Sequence, residues 1–132
     1  MGSFEELEVW NEGCNIAIAI YEETKEGVIS KDFGLCDQMR RSSLSIPSNI
    51  AEGKERETVN ELIRYLYIAK GSAAELKTQL IVAHKVGYLQ ENRYLYLKEK
   101  VNHISGMLGN FIKNLKKRKV DSDRKRQKAC EE

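Results

Sequence analysis

Residues Gln38–Arg56 read QMRRSSLSIPSNIAEGKER. Whether this stretch is a loop or a bent helix decides whether the chain can form a four-helix bundle. A proline near its middle, four serines and two adjacent arginines speak for a loop. Its apolar spacing speaks for a helix: Cys36, Met39, Ser43, Ile46 and Ile50 recur at alternating three- and four-residue steps, which places them on one helical face. Pro47 lacks the N–H that would bond the Ser43 carbonyl, and its ring crowds that carbonyl. The stretch therefore predicts a helix over about Lys31–Glu52, kinked near Pro47. The hydroxyls of Ser42, Ser43 and Ser45 can satisfy disturbed backbone groups there, and Gly53 is a stop signal.

The remaining chain repeats this pattern three times. A first helix is expected from about Phe4 to Glu23, with Ser3 and Glu6 as a capping box. Its seam is Leu7, Trp10, Cys14, Ala17 and Tyr21. A third is expected from Thr58, capped with Glu61, to Gly87. Leu62, Leu66, Ala69, Ala73, Leu76, Leu80 and Ala83 form its seam. A fourth is expected from Glu91 to about Lys117, with Tyr94, Leu97, Val101, Ile104, Leu108, Phe111 and Leu115 inward. Short connections between four such helices predict an all-α, antiparallel up-and-down bundle spanning residues 1–115. Residues 116–132 have almost nothing to bury and are expected as a frayed helix end or disorder.

Composition agrees with one helical domain. The 132 residues are 41% hydrophobic and 32% charged, with a single proline, so one core and a solvated exterior are expected. No apolar run approaches the roughly 18 residues of a membrane span. The start MGSFEELEVW lacks the basic region of a secretory signal, and Glu6 breaks a myristoylation pattern. Three cysteines at scattered spacings, with no CxxC pair, are expected as reduced thiols of a cytoplasmic protein.

Some apolar residues exceed what four stripes require. Ile16, Ile18 and Ile20 lie off the first seam. Tyr67, Ile68, Ile81 and Val82 form a second stripe on the third helix. Helices apolar on most faces are buried on most faces, so these seven residues are the expected contacts of a homo-oligomer.

Sites of chemistry are sparse. A di-metal bundle needs Glu-x-x-His on two helices, but Ile81 precedes His84 by three and Lys100 precedes His103 by three. There is no P-loop, no GxGxxG and no nucleophile elbow. No cofactor, metal, small-molecule substrate or catalysis is expected. Charge is more informative by place than in total. The net charge is +2, but residues 116–132 hold eight Lys and Arg against four Asp and Glu, net +4, which leaves −2 for residues 1–115. Arg40, Arg41, Lys54, Arg56, Lys116, Lys117, Arg118 and Lys119 are the candidate phosphate contacts. An Asp37–Arg41 pair within the helix is the competing assignment for Arg41.

The segments FEELEVWNEG, FGLCDQMRRSSLSIPSNIAEGKER, ELIRYLYIAKGSAAELKTQL and GYL resemble the 23S ribosomal RNA intervening-sequence protein family over about residues 4–115. The tail is not part of the resemblance. It implies a small bacterial four-helix protein. Related proteins include the accessory subunit of diversity-generating retroelements, a pentameric barrel of such bundles that binds a reverse transcriptase and nucleic acid. By that analogy the resemblance implies a pentamer. Two functions stay open: a non-catalytic homo-oligomer associated with RNA or a ribonucleoprotein, and a protein-interaction scaffold that touches no nucleic acid.

Overall fold

The structure, a computed structural model, describes residues 2–131. Four helices pack as a bundle: α1 (Glu8–Thr24), α2 (Phe33–Lys54), α3 (Val59–Lys85) and α4 (Glu91–Glu131). Short 3-10 turns at Phe4–Glu6 and Val28–Lys31 precede α1 and α2. Each helix packs on its neighbour in sequence, and α1 closes the bundle against α4. There are no strands among the described residues, and none of their helices is long and apolar enough to cross a membrane.

Residues Gln38–Arg56 are helical through Lys54, with Pro47 inside α2. The predicted seam holds: Met39, Ser43, Ile46 and Ile50 are fully buried and Cys36 nearly so. The serine hydroxyls bond within α2 and across to α3, though none of these bonds reaches the Ser43 carbonyl that Pro47 leaves without its N–H partner. Ser43 Oγ donates to the Arg40 carbonyl at 2.9 Å and Ser42 Oγ donates to Gln79 Oε1 at 2.7 Å. Ser45 and Ser72 share a bond at 2.8 Å. Small hydroxyl side chains thus fill the α2–α3 contact with no buried side-chain nitrogen or oxygen left unpartnered among the described residues. The start of α2 is set by Asp32, whose carboxylate accepts from Leu35 N–H at 3.1 Å, a strong cap. The other Asp32 oxygen accepts from the Tyr88 hydroxyl at 3.1 Å, tying the α1–α2 connection to the α3–α4 turn.

The seams of α3 and α4 are as expected over most of their length, and Leu66, Leu76, Leu80, Leu97, Ile104 and Leu108 are fully buried. In α1 the inward face is rotated by one residue from the expected seam. Val9, Gly13, Ile16, Ala17, Ile20 and Thr24 are buried, whereas Tyr21 is exposed. Gly13 explains the rotation. A Cβ there would stand 3.3 Å from Ile46 Cγ2 and 3.3 Å from Pro47 Cβ, so the absent side chain lets α1 settle on the proline of α2. Ile16 and Ile20 are consequently core residues of the single chain and offer no surface to a partner.

The chain also departs from expectation beyond Leu115. Residues 116–131 continue α4 as regular helix with every side chain exposed. Lys, Arg and Gln are good helix formers, and the packed part of α4 supplies the nucleus that an isolated basic helix lacks. The overhang projects by about 24 Å. At the α4 seam, Ile112 and Leu115 are buried and Phe111 is half-buried.

Candidate nucleic-acid interface

The overhang of α4 lies across from the turn between α2 and α3. That turn is tight because Gly53 is buried against α3, where a Cβ would come within 2.7 Å of Tyr65 Cβ. Thr58 then opens α3 by accepting from Glu61 N–H at 3.1 Å. Lys54 and Arg56 are brought beside the first turn of α3. On the other side, the α4 seam runs through Phe111 and Leu115 to Arg118 and Ser122, where α1 to α3 no longer cover it.

Between these walls is an open groove of about 650 Å³. Leu62, Phe111 and Leu115 form its floor. Lys54, Arg56, Arg118, Lys119 and Arg126 line it with five positive charges, against the two carboxylates Glu57 and Asp123. The structure therefore gathers Lys54, Arg56, Arg118 and Lys119, four of the eight predicted contacts, and adds Arg126. A strict continuation of the α4 heptads past Leu115 reaches positions 118, 122 and 125, whereas the 3.6-residue helical period, which repeats closely every 11 residues, carries the face of Leu115 to Arg126.

Their pairing differs. The Arg56 guanidinium lies 5.1 Å from the Tyr65 ring centre and donates to the Tyr65 hydroxyl at 2.8 Å and to Glu52. Tyr65 first, and then the hydrogen bond to Glu52, hold its pKa above the ordinary arginine value. Lys119 Nζ donates to Asn60 Oδ1 at 2.6 Å, which fastens the overhang to α3. Lys54, Arg118 and Arg126 form no ion pair among the described residues.

The other predicted contacts lie elsewhere. Lys116 sits over the Tyr67 ring at 4.9 Å and donates to its hydroxyl at 2.6 Å. Lys117 is exposed outside the groove. Arg41 makes the i,i+4 pair with Asp37, Nε to Oδ2 at 2.9 Å. Arg40 is half-buried and pairs with no carboxylate among the described residues. Its Nε donates to Thr24 Oγ1 at 2.8 Å and its guanidinium rests 4.8 Å over Tyr21 on α1. Of the expected subunit contacts, Ile18, Tyr67, Ile68 and Val82 are exposed, while Ile81 packs half-buried on the core.

Among the described residues no group of three or more His, Cys, Asp or Glu is placed to hold a metal ion. His84 pairs with Glu91 and stacks on Tyr94 with ring centres 4.0 Å apart. Burial raises the thiol pKa of both Cys14 and Cys36, which keeps these thiols protonated and weakly nucleophilic.

The chain matches the model of the family described as 23S rRNA-intervening sequence protein over residues 5–110. It belongs to that family. Its fold is similar to the crystal structure of a protein with unknown function from the S23 ribosomal protein family of Bacteroides thetaiotaomicron VPI-5482. The two superpose with a TM-score of 0.70 at 25% identity, covering 80% of this chain and 98% of that one. No curated protein matches the chain. The family match ends at residue 110, so it includes the α2–α3 wall of the groove and excludes Phe111, Leu115, Arg118 and Arg126.

Proposed function

We propose that this family member is a non-catalytic, self-associating protein of the cytoplasm that binds RNA, or RNA within a ribonucleoprotein, through the α4 overhang and the groove beneath it. The observation that carries the reading is the convergence of Lys54 and, more than 60 positions later, Arg118 and Arg126 on one groove, where none of the three forms an ion pair among the described residues. Cations placed this way exchange condensed counterions for phosphates, so affinity falls linearly with salt on logarithmic axes. Titration of labelled RNA across a salt series tests it. Binding should weaken steeply as salt rises, and Arg118→Glu combined with Arg126→Glu should weaken it at every salt concentration. No binding at low salt would remove the reading.

A second reading is favoured by different residues. Arg41 and Arg56 are paired with Asp37 and Glu52, and Arg40 is packed on α1, so those three arginines support a protein-interaction scaffold instead. For either reading, the exposed Ile18, Tyr67, Ile68 and Val82 supply the apolar surface for self-association, for which the family resemblance implies five copies.

A further inference from the structure

We infer that the groove takes a single RNA strand with unpaired bases, one base seated on Phe111 and Leu115 while neighbouring phosphates meet Lys54, Arg118 and Arg126. This rests on the RNA reading and adds which form of RNA the groove selects. The argument begins with the floor. Phosphate binding alone requires cations at a surface, and the outward side of the overhang already carries them. The groove differs by having Leu62, Phe111 and Leu115 at its base. A duplex keeps its base faces stacked inside and presents phosphates and sugar edges, so it would leave that floor wet. An unpaired base has an exposed apolar face that covers it, and stacking on an aromatic ring is tolerant of sequence.

Size and spacing agree. A volume of about 650 Å³ suits a small organic group of nucleotide scale. Arg118 and Arg126 stand about 12 Å apart along α4, which spans more than one phosphate of an extended strand, and Lys54 faces them from α2. The first turn of the 27-residue α3 also opens here. Thr58 satisfies the N–H groups of Glu61 and Leu62, and the positive end of the helix adds to the attraction for phosphate. An acidic amphipathic helix is the poorer fit. Its apolar stripe runs over several turns, whereas the apolar part of α4 in the groove is a single turn from Phe111 to Leu115, followed by Arg118 and Ser122.

Fluorescence anisotropy of the full chain with a labelled oligouridine strand, an oligoadenosine strand and an RNA duplex of equal length tests this. At one salt concentration the strands should bind at least about tenfold more tightly than the duplex. Phe111→Leu keeps an apolar side chain but loses the ring, and should weaken strand binding severalfold with duplex binding unchanged. A 4-thiouridine strand photo-cross-linked to the wild-type chain should give adducts at the groove, independent of how any variant folds. Equal affinity for strand and duplex, or adducts confined to the outward Lys113 and Lys117, overturns the inference while the RNA reading survives. Binding of neither at low salt overturns the RNA reading itself. Binding of an acidic amphipathic peptide with no RNA bound assigns the groove to a protein partner and overturns both.

Discussion

Gly53 and Gly106 are the same residue in the same kind of structure, yet alanine should act on them in opposite directions. In an open helical position, Gly→Ala stabilises by about 1 kcal/mol. Gly106 has nothing within 4 Å of where a Cβ would stand, so Gly106→Ala should gain that amount. At Gly53 the new methyl would lie 2.7 Å from Tyr65 Cβ and 3.3 Å from the Leu62 carbonyl. Neither is a flexible end, so the α2–α3 junction must shift, and overpacking costs about 1–3 kcal/mol. Urea denaturation of the two variants should give midpoints on either side of the wild type. Tyr88 offers a prediction with a pH signature. Its hydroxyl donates to Asp32, and that bond first, then the Asp32 charge, hold its pKa above the ordinary tyrosine value. Above about pH 10 the unfolded chain loses the phenol proton while the folded chain keeps it. The unfolded state then binds fewer protons, so this contribution is complete below that pH and is lost as pH rises through the folded value. The stability difference between wild type and Tyr88→Phe should be constant near neutrality and shrink in alkali; a constant difference through pH 11 would contradict the assignment. Asp32 illustrates what the residue pattern conceals. A cap is local and readable, but the second donor to the Asp32 carboxylate is the Tyr88 hydroxyl, 56 positions away.

At the scale of elements, α2 to α4 were legible because each has one unbroken seam at three- and four-residue steps, and on α3 that seam is more continuous than the second stripe through Tyr67, Ile68, Ile81 and Val82. This is why the helix through Pro47 could be read despite its serines. In α1 the run CNIAIAIY is apolar nearly all round, so periodicity admits neighbouring registers about 100° apart. The register is chosen by Gly13 against Ile46 and Pro47, a long-range fit that no count along α1 contains. The overhang was illegible for the opposite reason. It buries nothing, so the hydrophobic pattern is silent, and its helix is continued from a packed segment. That difference sets a prediction. Ending the chain after Leu115 removes, among the described residues, only exposed side chains, so bundle stability should change by no more than about 0.5 kcal/mol, while the groove loses Arg118, Lys119 and Arg126. Circular dichroism should show helix lost in proportion to the residues removed, with an unchanged melting temperature and RNA affinity sharply reduced. A large fall in melting temperature would mean that the overhang is part of the bundle.

For the whole molecule, the groove was half legible. Its cations could be picked out by residue type, but their assembly required the α2–α3 turn to meet a helical overhang, and Arg40 was drawn away by Thr24 and Tyr21. The surplus apolar residues were likewise divided by the fold. With Ile16 and Ile20 inside the core, the remaining candidates are Ile18 on α1, at 59% exposure, and Tyr67, Ile68 and Val82 on α3, each at 40% or more. Four large apolar side chains at this exposure are individually ordinary. Ile68 and Val82 are set apart by alignment: Ile68, Gly71, Glu75, Thr78 and Val82 recur at three- and four-residue steps and are all exposed, giving α3 one outward line with a single charge. Gly71 has no neighbour within 4 Å and would let a second backbone approach closely. On the proposed self-association, this line of residues, repeated on every copy, is the expected subunit contact, whose closure would yield a ring or a dimer. Light scattering should therefore return a multiple of the 15.2 kDa chain mass. Ile68→Lys combined with Val82→Lys should reduce that mass toward a single chain without loss of helicity, because both side chains already face outward. A wild-type mass of one chain would remove self-association. An unchanged assembly in the double variant would move the contact off α3, leaving α1 around Ile18 as the surface to test.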